Sequence, residues 1–149
     1  MALIEKISED VVKIPLESKS KPDVIEELLQ VLVDAGKVSD KENAYRALLE
    51  REAKGSTGLE NGIAVPHCKT GAVDSLTVAV GISPEGIDFE ALDGKPCRLF
   101  FLILAAPDQS GPHIEALSEI ARITRSQAFM RTLLSSQTTS EVVELFQEE

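Results

Sequence analysis

The chain reads as a single α/β domain over residues 1–149, a mixed β-sheet of about four to five strands flanked by helices on both sides. Three observations predict this. Residues Arg98–Ala106 form a nearly continuous apolar run, the pattern of a strand covered on both faces and so central in its sheet. Segments with helical apolar spacing lie both before and after the strand candidates. The order helices, strands, helices does not alternate strictly, which favours a mixed sheet between helical layers over a doubly wound parallel one.

The elements follow in order. Residues 11–14 alternate weakly and stop at Pro15, as a short edge strand would. Ser20 suits an N-cap, with Pro22 in the first turn and Asp23 at the positive end of the dipole. Ile25, Leu28, Leu29, Leu32 and Val33 keep helical spacing until Gly36. Ser39 with Glu42 three residues on reads as a capping box, opening a second helix that runs to about Ala53. Ile63–Val65 and Leu76–Ile82 are strand candidates. Residues 84–86 then predict a turn into a short alternating strand at Ile87-Asp88-Phe89, and Asp93-Gly94 turns the chain into the apolar run. The last third predicts three helices. One starts near His113, a second spans Ser126 to Leu134, and the third is capped by Thr139-Ser140.

Composition narrows the function. Fifteen Lys and Arg against twenty-five Asp and Glu give a formal charge of −10, which counts against nucleic acid or an anionic membrane as the main partner. No apolar run is long enough to span a membrane, and the N-terminal residues do not read as a signal peptide; a cytoplasmic protein is expected. Cys68 and Cys97 cannot make a disulfide framework. Cys68 beside His67 is a weak signal for zinc or for a Cys-His hydrolase, because adjacent residues rarely point at one ion and no CxxC or HxxxH pair accompanies them.

The chain has two histidines. His67 follows Pro66, whose fixed φ stiffens the approach to it, and Gly58 and Gly62 permit a tight loop just upstream. Imidazole exchanges a phosphoryl group or a proton near neutral pH, so His67 is the leading candidate, set against a surface histidine of no consequence. His113 is expected at a helix start, where free N–H groups favour an oxyanion; capping its helix is an equally good reading. Arg51 could neutralise phosphoryl oxygens or be a solvated helix arginine, and spacing alone does not prefer it to Arg46. The loop lacks GxxxxGK[ST], and no nucleotide fingerprint occurs elsewhere.

The stretch Arg51-Glu52, Gly55-Ser56-Thr57-Gly58 and Asn61 through His67 resembles the phosphorylation region of the fructose/mannitol-type enzyme IIA domains. These domains belong to the bacterial phosphoenolpyruvate-dependent phosphotransferase system and include nitrogen-regulatory relatives. The resemblance continues through Phe89–Gly94, the strand at 98–106 and His113–Ser118. It implies that His67 accepts the phosphoryl group, that His113 orients or hydrogen-bonds it, and that Arg51 stabilises its charge. It also implies a mixed sheet flanked by helices, no cofactor and no metal. The implied partners are an HPr-type phosphocarrier as donor and an enzyme IIB or a regulatory target downstream. The family usually uses Nε2 of the histidine; the residues themselves leave the ring nitrogen open. The flanking residues lean towards the nitrogen-regulatory branch. The alternatives are a sugar-specific component, or a module that controls a kinase, channel or transcription factor by phosphorylation-dependent contact. Many relatives carry a small residue where this chain has Cys68, which is read as packing.

Overall fold

A strand that is apolar on both faces must be covered on both sides, and β5 (Cys97–Ala105) is placed so that it is. The computed structural model describes residues 2–149; residue 1, which the expected domain includes, lies outside them. Along one edge β5 pairs antiparallel with β4 (Thr77–Ile87), with Thr77 opposite Leu104 and Ile82 opposite Leu99. Along the other it pairs parallel with two short strands, β2 (Ile63–Ala64) near its start and β3 (His67–Lys69) near its end. β1 (Val12–Lys13) adds to the free side of β4 as the expected edge strand. The sheet is therefore mixed and five-stranded, as the order of elements predicts.

Alternation along β5 divides the interior in two. Leu99, Phe101, Ile103 and Ala105 join a core with residues of α1 (Ala2–Glu5), α4 (Ser110–Ile123), α5 (Gln127–Leu134) and α6 (Thr139–Gln147). Phe100, Leu102 and Leu104 join the other with residues of α2 (Lys21–Asp34) and α3 (Lys41–Ala53). All seven of these β5 side chains are fully buried. Each large one contributes about 1.5–3 kcal/mol by leaving water, which is why a run without a polar face takes the central place.

Several local expectations change. The N-cap of α3 is Asp40, whose carboxylate accepts from the Asn43 amide at 3.1 Å, and not Ser39. Ser39 instead donates its hydroxyl and its amide to the Ala72 carbonyl, so no capping box forms with Glu42. The cap of α6 is likewise one residue earlier than expected, at Thr138. The turn expected at 84–86 does not end the strand. β4 continues through it to Ile87 with a register shift between Ile82 and Ile87, while the Ser83 hydroxyl accepts from the Gly86 amide. Asp88 and Phe89 lie beyond the strand. Phe89 is fully buried and packs edge-to-face on Phe100. α4 starts at Ser110, three residues before His113, and α1 has no counterpart in the predicted elements.

Candidate functional site

The segment from α3 to β3 is a folded loop held at several points. Gly62, at φ 79°, is in the left-handed region open to glycine, and its carbonyl accepts the amides of Arg98 and Leu99 as β2 enters the sheet. Gly58 passes so close to the 89–91 segment that a Cβ there would sit 2.9 Å from the Ala91 Cα and 3.0 Å from the Phe89 carbonyl oxygen. Thr57 and Val65 are joined by a backbone bond, as are Leu59 and Ile63. The loop thus returns on itself and delivers Pro66 and His67 at a set position.

His67 was expected just past a strand end; it opens a second short strand. Its neighbours explain its direction. Cys68 belongs to the α2–α3 core, so His67 and Lys69 on either side of it face the α4 layer. Between β2 and β3, the Pro66 carbonyl accepts the Ile103 amide, and the Val65 carbonyl lies 2.7 Å from Nδ1 of His67. A carbonyl can only accept, so Nδ1 carries the proton and the lone pair is left on Nε2. His67 is half-buried.

His113 meets it across the layer, the ring centres 5.1 Å apart and the planes at 71°. His113 is 8% exposed, and its Nε2 has no hydrogen-bond partner among the described residues. Burial, then His67 and Lys69, push its pKa below the ordinary histidine value and favour the neutral ring. The expectation that it stands at the free end of a helix is corrected: its amide already bonds the Gln109 carbonyl, so it offers an imidazole and no spare N–H. Lys69 links the same two elements through a short hydrogen bond from its ammonium to the Ser110 hydroxyl.

Arg51 sits in the last turn of α3, the helix packed against β3, and is half-buried where Arg46 is exposed. Its guanidinium donates to the Gly55 carbonyl at 3.0 Å. His67 and His113 are thus brought into contact, while Arg51 is turned onto the loop that carries His67. Cys68 is buried and its thiol is pushed up to about 12, which removes the thiolate at neutral pH and supports the packing reading. Among the described residues no group of three or more His, Cys, Asp and Glu could hold a metal ion. Among the same residues no helix is long and apolar enough to cross a membrane.

The family resemblance includes Glu52 beside Arg51 but implies no task for it. It is buried, and its carboxylate accepts from the Thr57 amide at 2.7 Å, the Thr57 hydroxyl at 2.6 Å and the Lys21 ammonium at 2.9 Å. Lys21 also bonds Glu90 and lies 4.8 Å over the Phe89 ring. Burial acts against the Lys21 charge, but Glu52 and Glu90 outweigh it and its pKa is raised. Four segments of chain meet at this one carboxylate and its lysine. The sequence signal was faint, a glutamate in a helix whose other acidic residues face water.

Residues 5–149 match the family described as phosphoenolpyruvate-dependent sugar phosphotransferase system, EIIA 2. The chain is 36% identical over 145 residues to the fructose-specific EIIABC component of Bacillus subtilis, covering 97% of this chain and 23% of that protein. It is 41% identical over 129 residues to the fructose-specific EIIA component of Haloferax volcanii, covering 87% of this chain and 84% of that one. The crystal structure of the nitrogen regulatory protein IIA-Ntr from Neisseria meningitidis superposes with a TM-score of 0.89 at 28% identity, over 98% of this chain and 99% of that one.

Proposed function

The chain belongs to the EIIA 2 family of the phosphoenolpyruvate-dependent sugar phosphotransferase system, a family of phosphoryl carriers, and from that premise we propose that Nε2 of His67 is the atom that carries the phosphoryl group. The observation that carries this reading is the hydrogen bond from Nδ1 to the Val65 carbonyl. It fixes the tautomer, holds the ring and leaves one nitrogen with a lone pair. In the forward step that lone pair bonds to phosphorus as the P–N bond of a phosphohistidine donor breaks. With the donor ring protonated on its other nitrogen it leaves as neutral imidazole, and His67, keeping Nδ1–H on the Val65 carbonyl, becomes a phosphorylated imidazolium. The donor is an HPr-type phosphocarrier, the acceptor a cysteine or histidine of an enzyme IIB, or a target that reads the phosphorylated state.

His113 acts as a neutral neighbour. Its ring backs His67, and its unpartnered Nε2 is available to phosphoryl oxygens once a proton is on it. Arg51 supplies positive charge from the loop side. The group must be held without being trapped, and positioning with modest electrostatics meets that need without a metal. Ile114, beside His113 and 64% exposed, and Leu59, exposed on the loop before His67, suit a transient apolar contact with successive cytoplasmic partners.

Two destinations follow from the relatives. The likeness to a nitrogen regulatory protein supports the regulatory one; the 41% identity to a fructose-specific component supports the sugar-transport one. The first test is common to both. Incubated with phosphoenolpyruvate, enzyme I and an HPr-type carrier, the protein should gain one acid-labile phosphoryl group by intact mass. His67→Ala should abolish the gain, and His113→Ala should slow it while His67 stays the labelled residue. Label surviving in His67→Ala would move the acceptor elsewhere. Onward transfer to a fructose-type enzyme IIB then separates the destinations.

A further inference from the structure

The chain has ten more acidic than basic residues, yet three arginines gather in one cleft that no carboxylate lines. Arg98, Arg125 and Arg131 line one cleft of about 630 Å³, between the start of β5 and the α4–α5 corner, and no Asp or Glu lines it. Among the described residues none of the three side chains is in an ion pair. The Arg98 Nε is buried and has no hydrogen-bond partner among the described residues. A buried guanidinium N–H without an acceptor is costly, and Arg125 and Arg131 add positive charge to the same cleft, so the cleft favours an anion. Asp93, the carboxylate bonded to the neighbouring Asn61 amide, is occupied by that amide and the Lys95 amide.

The cleft is separate from the histidine pair. Arg98 is the second residue of β5, whereas His67 stands opposite Ile103, five residues along the strand and so about 16 Å away. Its size is that of a small-molecule site, larger than a single phosphate needs. Met130 and Leu134 give it an apolar wall, and Asn61 adds an amide at its edge. Guanidinium forks match phosphoryl oxygens in pairs, so several arginines beside an apolar wall suit a ligand with clustered phosphoryl charge and an organic body.

We propose that the Arg98–Arg125–Arg131 cleft binds a small organic di- or triphosphate, the guanidinium groups taking the phosphoryl oxygens and Met130 and Leu134 the organic part. The site is independent of phosphoryl transfer at His67. The test titrates isotope-labelled protein with ADP at low ionic strength, with adenosine as the uncharged control, and follows amide shifts. Saturable shifts at residues 61, 98 and 124–135 are expected with ADP and not with adenosine. They should weaken as salt is added and persist in His67→Ala. Arg98→Gln, and separately the exposed pair Arg125→Gln with Arg131→Gln, should weaken binding about tenfold or more. The paired variant changes two solvent-exposed positions, so retention of its fold is checked by circular dichroism and thermal unfolding. No saturable shift with millimolar ADP in folded wild-type protein would overturn the proposal. So would equal affinity in folded variants, or shifts centred on His67 and His113.

Discussion

The His67 and His113 rings touch edge to face, and the two are unequal. His67 has a carbonyl for its Nδ1 proton; the Nε2 of His113 has no partner among the described residues, and its ring lies near Lys69 as well as His67. Burial disfavours a charge on His113, and His67 and the Lys69 ammonium beside it add to this, which is why its pKa is depressed. The consequence for stability has a definite sign. An unfolded histidine takes up a proton near pH 6.5, while the folded one resists it to lower pH. Between those two values the unfolded state binds more protons, so the contribution of His113 to stability is present above about pH 6.5 and is lost as the pH falls towards its folded pKa. Urea unfolding of wild type and His113→Asn at about pH 7.5 and about pH 5.5 checks this. The wild type should lose more stability on acidification than the variant does. Equal losses would mean that His113 titrates in the folded protein as it does in the unfolded chain.

At the scale of elements, the loop that presents His67 depends on Glu52. The Thr57 amide and hydroxyl and the Lys21 ammonium all end on its carboxylate, joining α2, α3 and the loop in one buried network. Glu52→Ala leaves the Thr57 amide and hydroxyl without their acceptor and the Lys21 ammonium with Glu90 alone, a loss of about 2–3 kcal/mol. A urea series measures it, and Glu52→Gln, which keeps an acceptor for Thr57, should fall between alanine and wild type. A change in Glu52→Ala below about 0.5 kcal/mol would show that water replaces the carboxylate without cost. The same network marks where reading the residues in order stops. Helices and strands were legible because their apolar pattern is local: Leu28, Leu29 and Leu32 announce a buried face by helical spacing, and the unbroken run from Leu99 to Ala106 announces a strand covered on both faces. His67 was legible because Pro66 and two glycines surround it. What was not legible depends on partners distant in sequence. Ser39 looks like a cap until Ala72 takes its hydroxyl, and Pro84-Glu85-Gly86 looks like a turn until pairing with β5 carries β4 through it. The bond from Nδ1 to Val65 and the grip of Glu52 on Thr57 exist only once the loop has closed.

For the whole molecule, the decisive feature is that β5 belongs to both cores. Phe100 packs towards α2 and α3, Phe101 towards α4, α5 and α6, and the two are neighbours on one fully buried strand. Either helical layer separated from β5 would expose a complete apolar face of the sheet, so neither layer has a stable folded state alone. The layers are therefore expected to unfold as one unit, although they touch mainly through the sheet. Phe100→Ala removes packing on the α2–α3 side only, at a cost of about 3–5 kcal/mol. If the two cores are coupled, amide exchange should accelerate by the same factor at buried amides of α2 and of α4, near Leu28 and Ile120, though Ile120 lies across the sheet from the substitution. Phe101→Ala should give the same pattern from the other side. Acceleration confined to the layer that lost its ring would show two independent folding units. In that case the loop bearing His67, which enters from α3 and faces α4, would sit on a boundary that can open without the rest of the protein unfolding.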